Sequence, residues 1–138
     1  MNDLRVCWQD KYDPKFKTNI DVFDYDTEAD YRKSLINNWQ ETYDPQHRFN
    51  SFQFERFTTV DDYLVELNDR INWIKKCDPD GVYNKIDPSK YDNMFQYQHV
   101  FDLRKAWKNK YDPNNEHTNI DPCDYSSVEE YHKAITDD

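Results

Sequence analysis

The stretch NKYDPNNEHTNIDPCDY at residues 109–125 decides how the chain is organised, because nearly the same phrase, DKYDPKFKTNIDVFDY, stands at residues 10–25. Both copies begin with Tyr-Asp-Pro, continue through Thr-Asn-Ile-Asp and end in Asp-Tyr. Two copies of such a phrase indicate an internal repeat, and a repeat has to be traced before single residues are interpreted.

Tryptophan marks the period of this repeat. The four Trp residues are separated by 31, 34 and 34 positions, and four residues after each stands a Tyr or a Cys followed by Asp-Pro. These residues are Trp8, Trp39, Trp73 and Trp107. We therefore predict a single domain over residues 1–138 with four imperfect repeats, at about 8–38, 39–72, 73–106 and 107–138.

Each repeat also carries a helix start and a helix stop. A capping residue precedes an acid or Gln by three positions, which is a capping box or a close relative of it. The capping residues are Thr27, Thr59, Asn93 and Ser127. An Asp-Pro pair ends each of the first four helices, since the residue before Pro avoids the α region. The predicted helices cover about 2–12, 27–43, 59–77, 93–111 and 127–136.

The fold class predicted from this pattern is all-α, with one main helix and one long Asp-Pro-containing connector in each unit of about 34 residues. A small helical array is favoured, and an up-and-down bundle is the alternative. Connectors of ~15 residues are long enough to run back along their own helices, which would allow parallel neighbouring helices.

The connectors are expected to hold short structure of their own, because long unstructured loops are uncommon in compact domains. The pairs Asp87-Pro88 and Asp121-Pro122 fit the start of a single helical turn. The second connector departs from the pattern: FNSFQFERF at residues 49–57 alternates Phe with polar residues and is predicted to be extended.

Composition predicts a folded chain with an aromatic core. An apolar fraction of 36% and a charged fraction of 33% lean towards disorder by themselves. Four Trp, eleven Tyr and eight Phe reverse that expectation, because each ring buries a large area. The Trp and Tyr positions of the repeat are accordingly interpreted as core rather than as ligand-binding residues.

Charge, cysteine content and hydropathy narrow the class of protein. A net charge of −10 argues against direct nucleic-acid binding, which needs a basic surface. Three widely spaced Cys residues, with no Cys-x-x-Cys pair, suit reduced thiols in a cytoplasmic protein. No apolar run approaches the ~18 residues that span a bilayer, and no leader segment is evident, so no membrane association is expected.

The recurring Asp of the Asp-Pro pairs has two interpretations. The favoured one is a helix-stopping Asp whose side chain accepts hydrogen bonds from nearby backbone N–H groups. The other is a cation site, for which CDPDGVYNKID at residues 77–87 is the best candidate through Asp78, Asp80 and Asp87. This segment lacks the acidic fifth position and the Glu at position twelve of a calcium loop, so we expect no metal and no cofactor.

An enzymatic function is not expected. The His residues stand at different places relative to the repeat, and no Ser or Cys has a nearby activating partner. The sequence also lacks a Gly-rich phosphate loop and an HExxH motif. No catalytic residue is therefore assigned.

The remaining expectation is binding to a protein with a basic surface, as an adaptor or an inhibitor, while the oligomeric state is left open. Residues 21–30, DVFDYDTEAD, hold five acids and no base, and residues 121–138 are also acidic. The candidate partner-binding residues are Asp21, Asp24, Tyr25, Asp26, Glu28, Asp121, Asp124 and Glu129. The alternative function is a phage or mobile-element DNA mimic, of the antirestriction or anti-CRISPR type, that occupies a host nucleic-acid-binding protein. Eighteen Lys and Arg are many for such a mimic.

Overall fold

The structure is a computed structural model, and it describes residues 3–138 of the chain. These residues contain five α-helices: α1 Leu4–Tyr12, α2 Glu28–Tyr43, α3 Val60–Cys77, α4 Met94–Tyr111 and α5 Val128–Asp137. No β-strand occurs between residues 3 and 138, so the all-α prediction is confirmed. The predicted helix ends agree with the observed ones to within two residues, and residue 2 of the predicted first helix lies outside the described residues.

Helix starts follow the predicted capping residues. The side chains of Thr27, Asn93 and Ser127 accept hydrogen bonds from the backbone N–H three residues further on, at 3.1, 3.0 and 3.2 Å. Helix α3 begins directly after Thr59, whose carbonyl accepts from the Tyr63 N–H. Each cap satisfies one of the N–H groups that a helix end leaves without a partner inside the helix.

Helix ends depend on four buried aspartates. Asp13, Asp44, Asp78 and Asp112 are each at most 5% exposed. In all four, one carboxylate oxygen accepts the backbone N–H of the fourth following residue at 2.8 Å. The other oxygen accepts the N–H of the fifth, at 2.8 to 3.4 Å. The interpretation of these residues as helix-stopping aspartates is confirmed.

The same turn forces one residue into the left-handed region. The third residue after each aspartate has a positive φ of 52°, 55°, 67° or 56°, at Phe16, His47, Gly81 and Asn115 respectively. The chain's single glycine meets this requirement without strain, whereas a Phe or His there costs about 1 kcal/mol. The buried carboxylate offsets that cost, because its two hydrogen bonds hold the turn closed.

Each connector continues into a 3₁₀ helix of three residues. These are Val22–Asp24, Phe54–Arg56, Pro88–Lys90 and Pro122–Asp124. Asp21, Asp87 and Asp121 begin three of them by accepting the N–H two residues on, at 2.9, 2.9 and 2.8 Å. The single turns predicted at Asp87-Pro88 and Asp121-Pro122 are therefore confirmed.

The expectation of extended chain over residues 49–57 is wrong, because Phe54–Arg56 is also a 3₁₀ helix. Gln53 stands where the other connectors have a capping Asp, and its side chain makes no capping hydrogen bond. The Phe alternation has another cause: the rings of Phe52 and Phe54 meet edge to face at 6.0 Å and both pack on Tyr63, rather than lining one face of a strand.

The core consists of Trp–Tyr stacks that bring the two ends of a connector together. Trp39, one turn before the end of α2, stacks on Tyr63 in the first turn of α3, with centroids 6.0 Å apart. The pairs Trp73–Tyr97 and Trp107–Tyr131 repeat this arrangement at 6.2 and 6.4 Å. Since each following helix starts beside the end of the preceding one, these connectors do not run back along their helices.

Contacts divide the chain into two compact units, Met1–Arg70 and Ile71–Asp138, and the division falls inside α3. The core of the first unit includes Tyr31, Leu35 and Trp39. The second unit has one cluster around Trp73 and another around Trp107. A single domain of four superposable repeats of about 34 residues remains a prediction.

Replacing Asp78 by Ala is expected to lower the free energy of unfolding by about 2–4 kcal/mol, because the part-buried N–H of Val82 and the buried N–H of Tyr83 lose their acceptor. Asp80 lies exposed in the same turn and provides the matched control, Asp80→Ala, for which almost no change is expected. Denaturant unfolding of both variants measures the difference. Equal stability of the two would show that the carboxylate does not hold the turn.

The buried tyrosines predict a loss of stability at high pH. Burial, with a smaller contribution from the Asp44 charge, raises the pKa of Tyr63 from 10.0 to about 12. The folded chain therefore holds the phenol proton more tightly than the unfolded chain. This contribution to stability is complete below pH 10 and is lost as the pH rises towards 12.

Tyr63→Phe is expected to weaken this alkaline dependence, by about 2–3 kcal/mol between the two limits. Denaturant unfolding at a series of pH values provides the measurement. Tyr43, 42% exposed, supplies the control variant Tyr43→Phe, which should keep the wild-type dependence. An unchanged slope in Tyr63→Phe would contradict the assignment.

Candidate protein-binding surface

The acidic segment at residues 21–30 runs from the 3₁₀ helix Val22–Asp24 into the first turn of α2. Asp24 and Asp26 are exposed within it. Within residues 3–138 neither carboxylate has a hydrogen bond or an ion pair. Two unpaired negative charges two residues apart are therefore available to a ligand.

Two other acids of this segment are already engaged. The Asp21 carboxylate accepts the Phe23 N–H at 2.9 Å and so caps the 3₁₀ helix. Glu28 accepts a hydrogen bond from the Tyr12 hydroxyl at the end of α1. Asp21 thus holds the turn of the segment, and Glu28 ties the first turn of α2 to the end of α1.

The aromatic residue that accompanies the acids differs from the predicted one. Tyr25, predicted as a partner-binding residue, is half-buried and packs on Tyr31 with ring centroids 5.9 Å apart. Phe23 is 52% exposed instead, and its carbonyl accepts a hydrogen bond from Arg5 at 3.1 Å. Phe23 directly follows Val22 in the sequence, and neighbouring side chains in a short turn point in different directions. Because Val22 is buried, Phe23 points towards solvent.

We name the exposed group Phe23, Asp24 and Asp26 the acidic turn. It joins one large apolar side chain to two free carboxylates on a segment held by backbone and side-chain hydrogen bonds. Such a combination suits protein recognition, in which a buried aromatic supplies most of the affinity and rim charges steer the approach.

In the second predicted acidic segment, residues 121–138, more of the acids already have partners within the chain. Asp124 lies 2.6 Å from Lys85 Nζ and Asp121 lies 3.7 Å from it. The hydrogen bond that Lys85 donates to Asp124 raises the pKa of Lys85 above its ordinary value. Asp121 also caps the last 3₁₀ helix through the Cys123 N–H. Glu129 is exposed, and in the described chain its carboxylate has no ion pair.

The charge of Asp24 is not required by the fold. Asp24 is the last residue of its 3₁₀ helix, and the residues that end the other three are Arg56, Lys90 and Asp124. Acid and base therefore serve equally at this position. The sign of the charge at Asp24 can therefore be determined by binding to a partner.

The candidate cation site does not assemble. The Asp78 carboxylate accepts hydrogen bonds from the N–H groups of Val82 and Tyr83, and the Asp87 carboxylate accepts hydrogen bonds from Ser89. Across the described part of the chain, no three His, Cys, Asp or Glu side chains come together as metal ligands would.

The cysteine thiols are free and differ in exposure. Cys7 is exposed, whereas Cys77 and Cys123 are half-buried. Burial, assisted by the Asp121 charge, raises the pKa of Cys123 to about 12. Burial also raises the pKa of Cys77. Neither thiol has the lowered pKa of a catalytic nucleophile.

None of the α-helices found over residues 3–138 is both long and apolar enough to cross a bilayer. Comparison of the chain with known protein families, with characterised proteins and with solved structures finds no match.

Millimolar calcium is expected to leave the melting temperature unchanged, because the carboxylates of Asp78 and Asp87 already accept backbone hydrogen bonds. A ligand that binds only the folded state would raise that temperature through linkage. Scanning calorimetry with calcium and with a chelator measures the shift. A saturable increase that disappears in Asp80→Ala would overturn this interpretation.

Proposed function

We propose that this chain is a non-enzymatic binding protein that recognises a basic surface on another protein, as an adaptor or an inhibitor, through the acidic turn. The observation that carries the proposal is the pair of exposed carboxylates, Asp24 and Asp26, beside the exposed ring of Phe23. Every other acid predicted in residues 21–30 as a site residue already has a structural partner.

Physical chemistry assigns these three residues different tasks. Unpaired carboxylates raise the rate of encounter with a basic surface, and salt screens this effect. The Phe23 ring is 52% exposed, so part of its apolar area can still be removed from water when a partner binds. The acids are expected to govern association, and the ring to govern dissociation.

The C-terminal acids have a smaller part in this proposal. A basic partner that bound Asp124 would have to compete with Lys85, which is 2.6 Å away. That competition reduces the net gain from a new ion pair. Of the predicted C-terminal residues, Glu129 is the one we retain as a partner contact.

A protein adaptor or inhibitor is supported better than mimicry of duplex DNA. A DNA mimic needs a regular run of negative charge at about one per 1.7 Å. Arg56 and Lys90 interrupt the positions at which Asp24 and Asp124 supply acids. We also propose a cytoplasmic location, because three free thiols suit a reducing compartment.

The decisive variant combines Asp24→Lys with Asp26→Lys. The chain, immobilised, first captures its partner from a lysate of the native host, and the purified pair is then studied by surface plasmon resonance. The double variant should lower the association rate at least about tenfold at low salt, while its melting temperature stays close to that of the parent. High salt should slow the parent to a similar rate.

The matched control combines Asp10→Lys with Glu41→Lys, which makes the same change in net charge at two exposed helical positions outside the acidic turn. Equal losses in both double variants would attribute the effect to net charge and contradict the proposal. Duplex DNA added as a competitor identifies the alternative, since displacement of the chain would place the acidic turn on a nucleic-acid-binding surface.

A further inference from the structure

Helix α4 in the second unit carries an exposed apolar stripe. Phe95 is 77% exposed and Leu103 is 39% exposed, and His99 and Ala106 are also exposed. Residues at these spacings lie on one face of a helix over three turns. We name this face, formed by Phe95, His99, Leu103 and Ala106, the α4 stripe.

The fold does not require large apolar residues at the positions of Phe95 and Leu103. Each α-helix from α2 to α5 starts one residue after its cap, so Phe95 corresponds to the second residue of the others. That residue is Ala29 in α2, Asp61 in α3 and Glu129 in α5. Leu103 corresponds in the same way to Asn37 and Asp69. Among these helices, large apolar side chains at these two positions are therefore special to α4.

Charge is distributed unevenly along the same helix. Residues 91–103 contain Asp92 and Asp102 and no Lys or Arg, whereas residues 104–110 contain four bases and no acid. Lys105 and Lys110 are exposed among those bases. Asp92 thus stands just before the Phe95 end of α4, which has no base, while Asp102 lies beside Leu103 and the four bases follow it.

We propose that the α4 stripe binds the α4 stripe of a second copy of this chain, with the two helices antiparallel about a two-fold axis at His99. Residues equally distant from His99 on opposite sides then face each other across the axis. Phe95 of one copy packs on Leu103 of the other, and the reverse contact forms by symmetry. Asp92 comes opposite Ala106, next to the bases of residues 104–110.

The charge distribution selects this orientation and this occupant. Antiparallel packing sets Asp92 and the base-free first half of each α4 against the four bases of the other α4 and opposes the helix dipoles favourably. Parallel packing would set four bases against four bases. A second α4 therefore offers the stripe both apolar side chains and opposite charge. A single helix pair is a small interface, so the dimer should be weak.

Sedimentation equilibrium of the full chain over about 1–500 µM tests the proposal, and we expect a reversible monomer–dimer equilibrium within that range. Phe95→Asp should raise the dimer dissociation constant at least about tenfold, because it places a charge in the apolar contact. Phe16→Asp is the matched control: Phe16 is 73% exposed in the first unit, and its replacement should leave dimerisation unchanged.

Charge reversal tests the antiparallel alignment. Asp92→Lys alone, and Lys105→Glu with Lys110→Glu, should each weaken the dimer, and the combination of all three should restore most of the loss. Circular dichroism and melting curves verify that every variant is folded. A chain that stays monomeric across the range, or a dimer that Phe95→Asp does not weaken, overturns the proposal. A triple variant that dimerises more weakly than both Asp92→Lys and the Lys105→Glu, Lys110→Glu double variant overturns the antiparallel alignment.

Discussion

The buried aspartate at the end of helices α1 to α4 is the constraint on which the rest of the structure depends. Proline alone would stop a helix, but it would not determine where the chain goes next. The carboxylate does so, because it accepts two backbone N–H groups from the residues that follow and curls the chain around itself. This closure brings the next helix beside the end of the previous one, where Trp39 can stack on Tyr63. Without the closure, the aromatic pairs would have no fixed geometry.

The aromatic pairs explain how so polar a chain can fold. Only 36% of its residues are apolar, yet Tyr31, Tyr63, Tyr97 and Tyr131 are fully buried. Each ring lies in the first turn of its helix, against the connector that precedes it. The negative charge of the helix-stopping Asp reaches the neighbouring Tyr and adds to burial in raising its pKa. The turn and the core are thus coupled electrostatically as well as by packing.

Local chemistry made much of this fold predictable. Capping residues such as Thr27 and Ser127 act through backbone groups three positions away, so sequence spacing contains the whole interaction. The error at residues 49–57 arose because the second connector lacks the Asp cap, leaving only the Phe alternation as a signal. That alternation serves ring packing around Tyr63 instead of a strand.

The candidate surface was less predictable, because it depends on contacts between distant residues. Lys85 neutralises Asp124 across 39 positions, and the Tyr12 hydroxyl occupies Glu28 across 16. No local pattern separates these acids from Asp24 and Asp26, which have no partner among residues 3–138. The exposure of Phe23 in place of Tyr25 likewise follows from packing on Tyr31. Composition indicated an acidic segment, and only tertiary structure divides its acids into structural and available ones.

This division suggests how such a scaffold acquires specificity. Positions that stop helices, cap turns or stack rings tolerate few residue types, since each satisfies a buried group or fills the core. The last residue of each 3₁₀ helix carries no such duty and varies between Asp24, Arg56, Lys90 and Asp124. The outward second residue of the helices varies similarly, from Ala29 to Phe95. Because surface ion pairs such as Lys85–Asp124 contribute little to stability, charge and apolar area can change at these sites without loss of the fold. Binding preferences are therefore expected to depend on the last residues of the 3₁₀ helices and on the outer helix faces. The helix-stopping Asp residues and the Trp–Tyr pairs hold these surfaces in position.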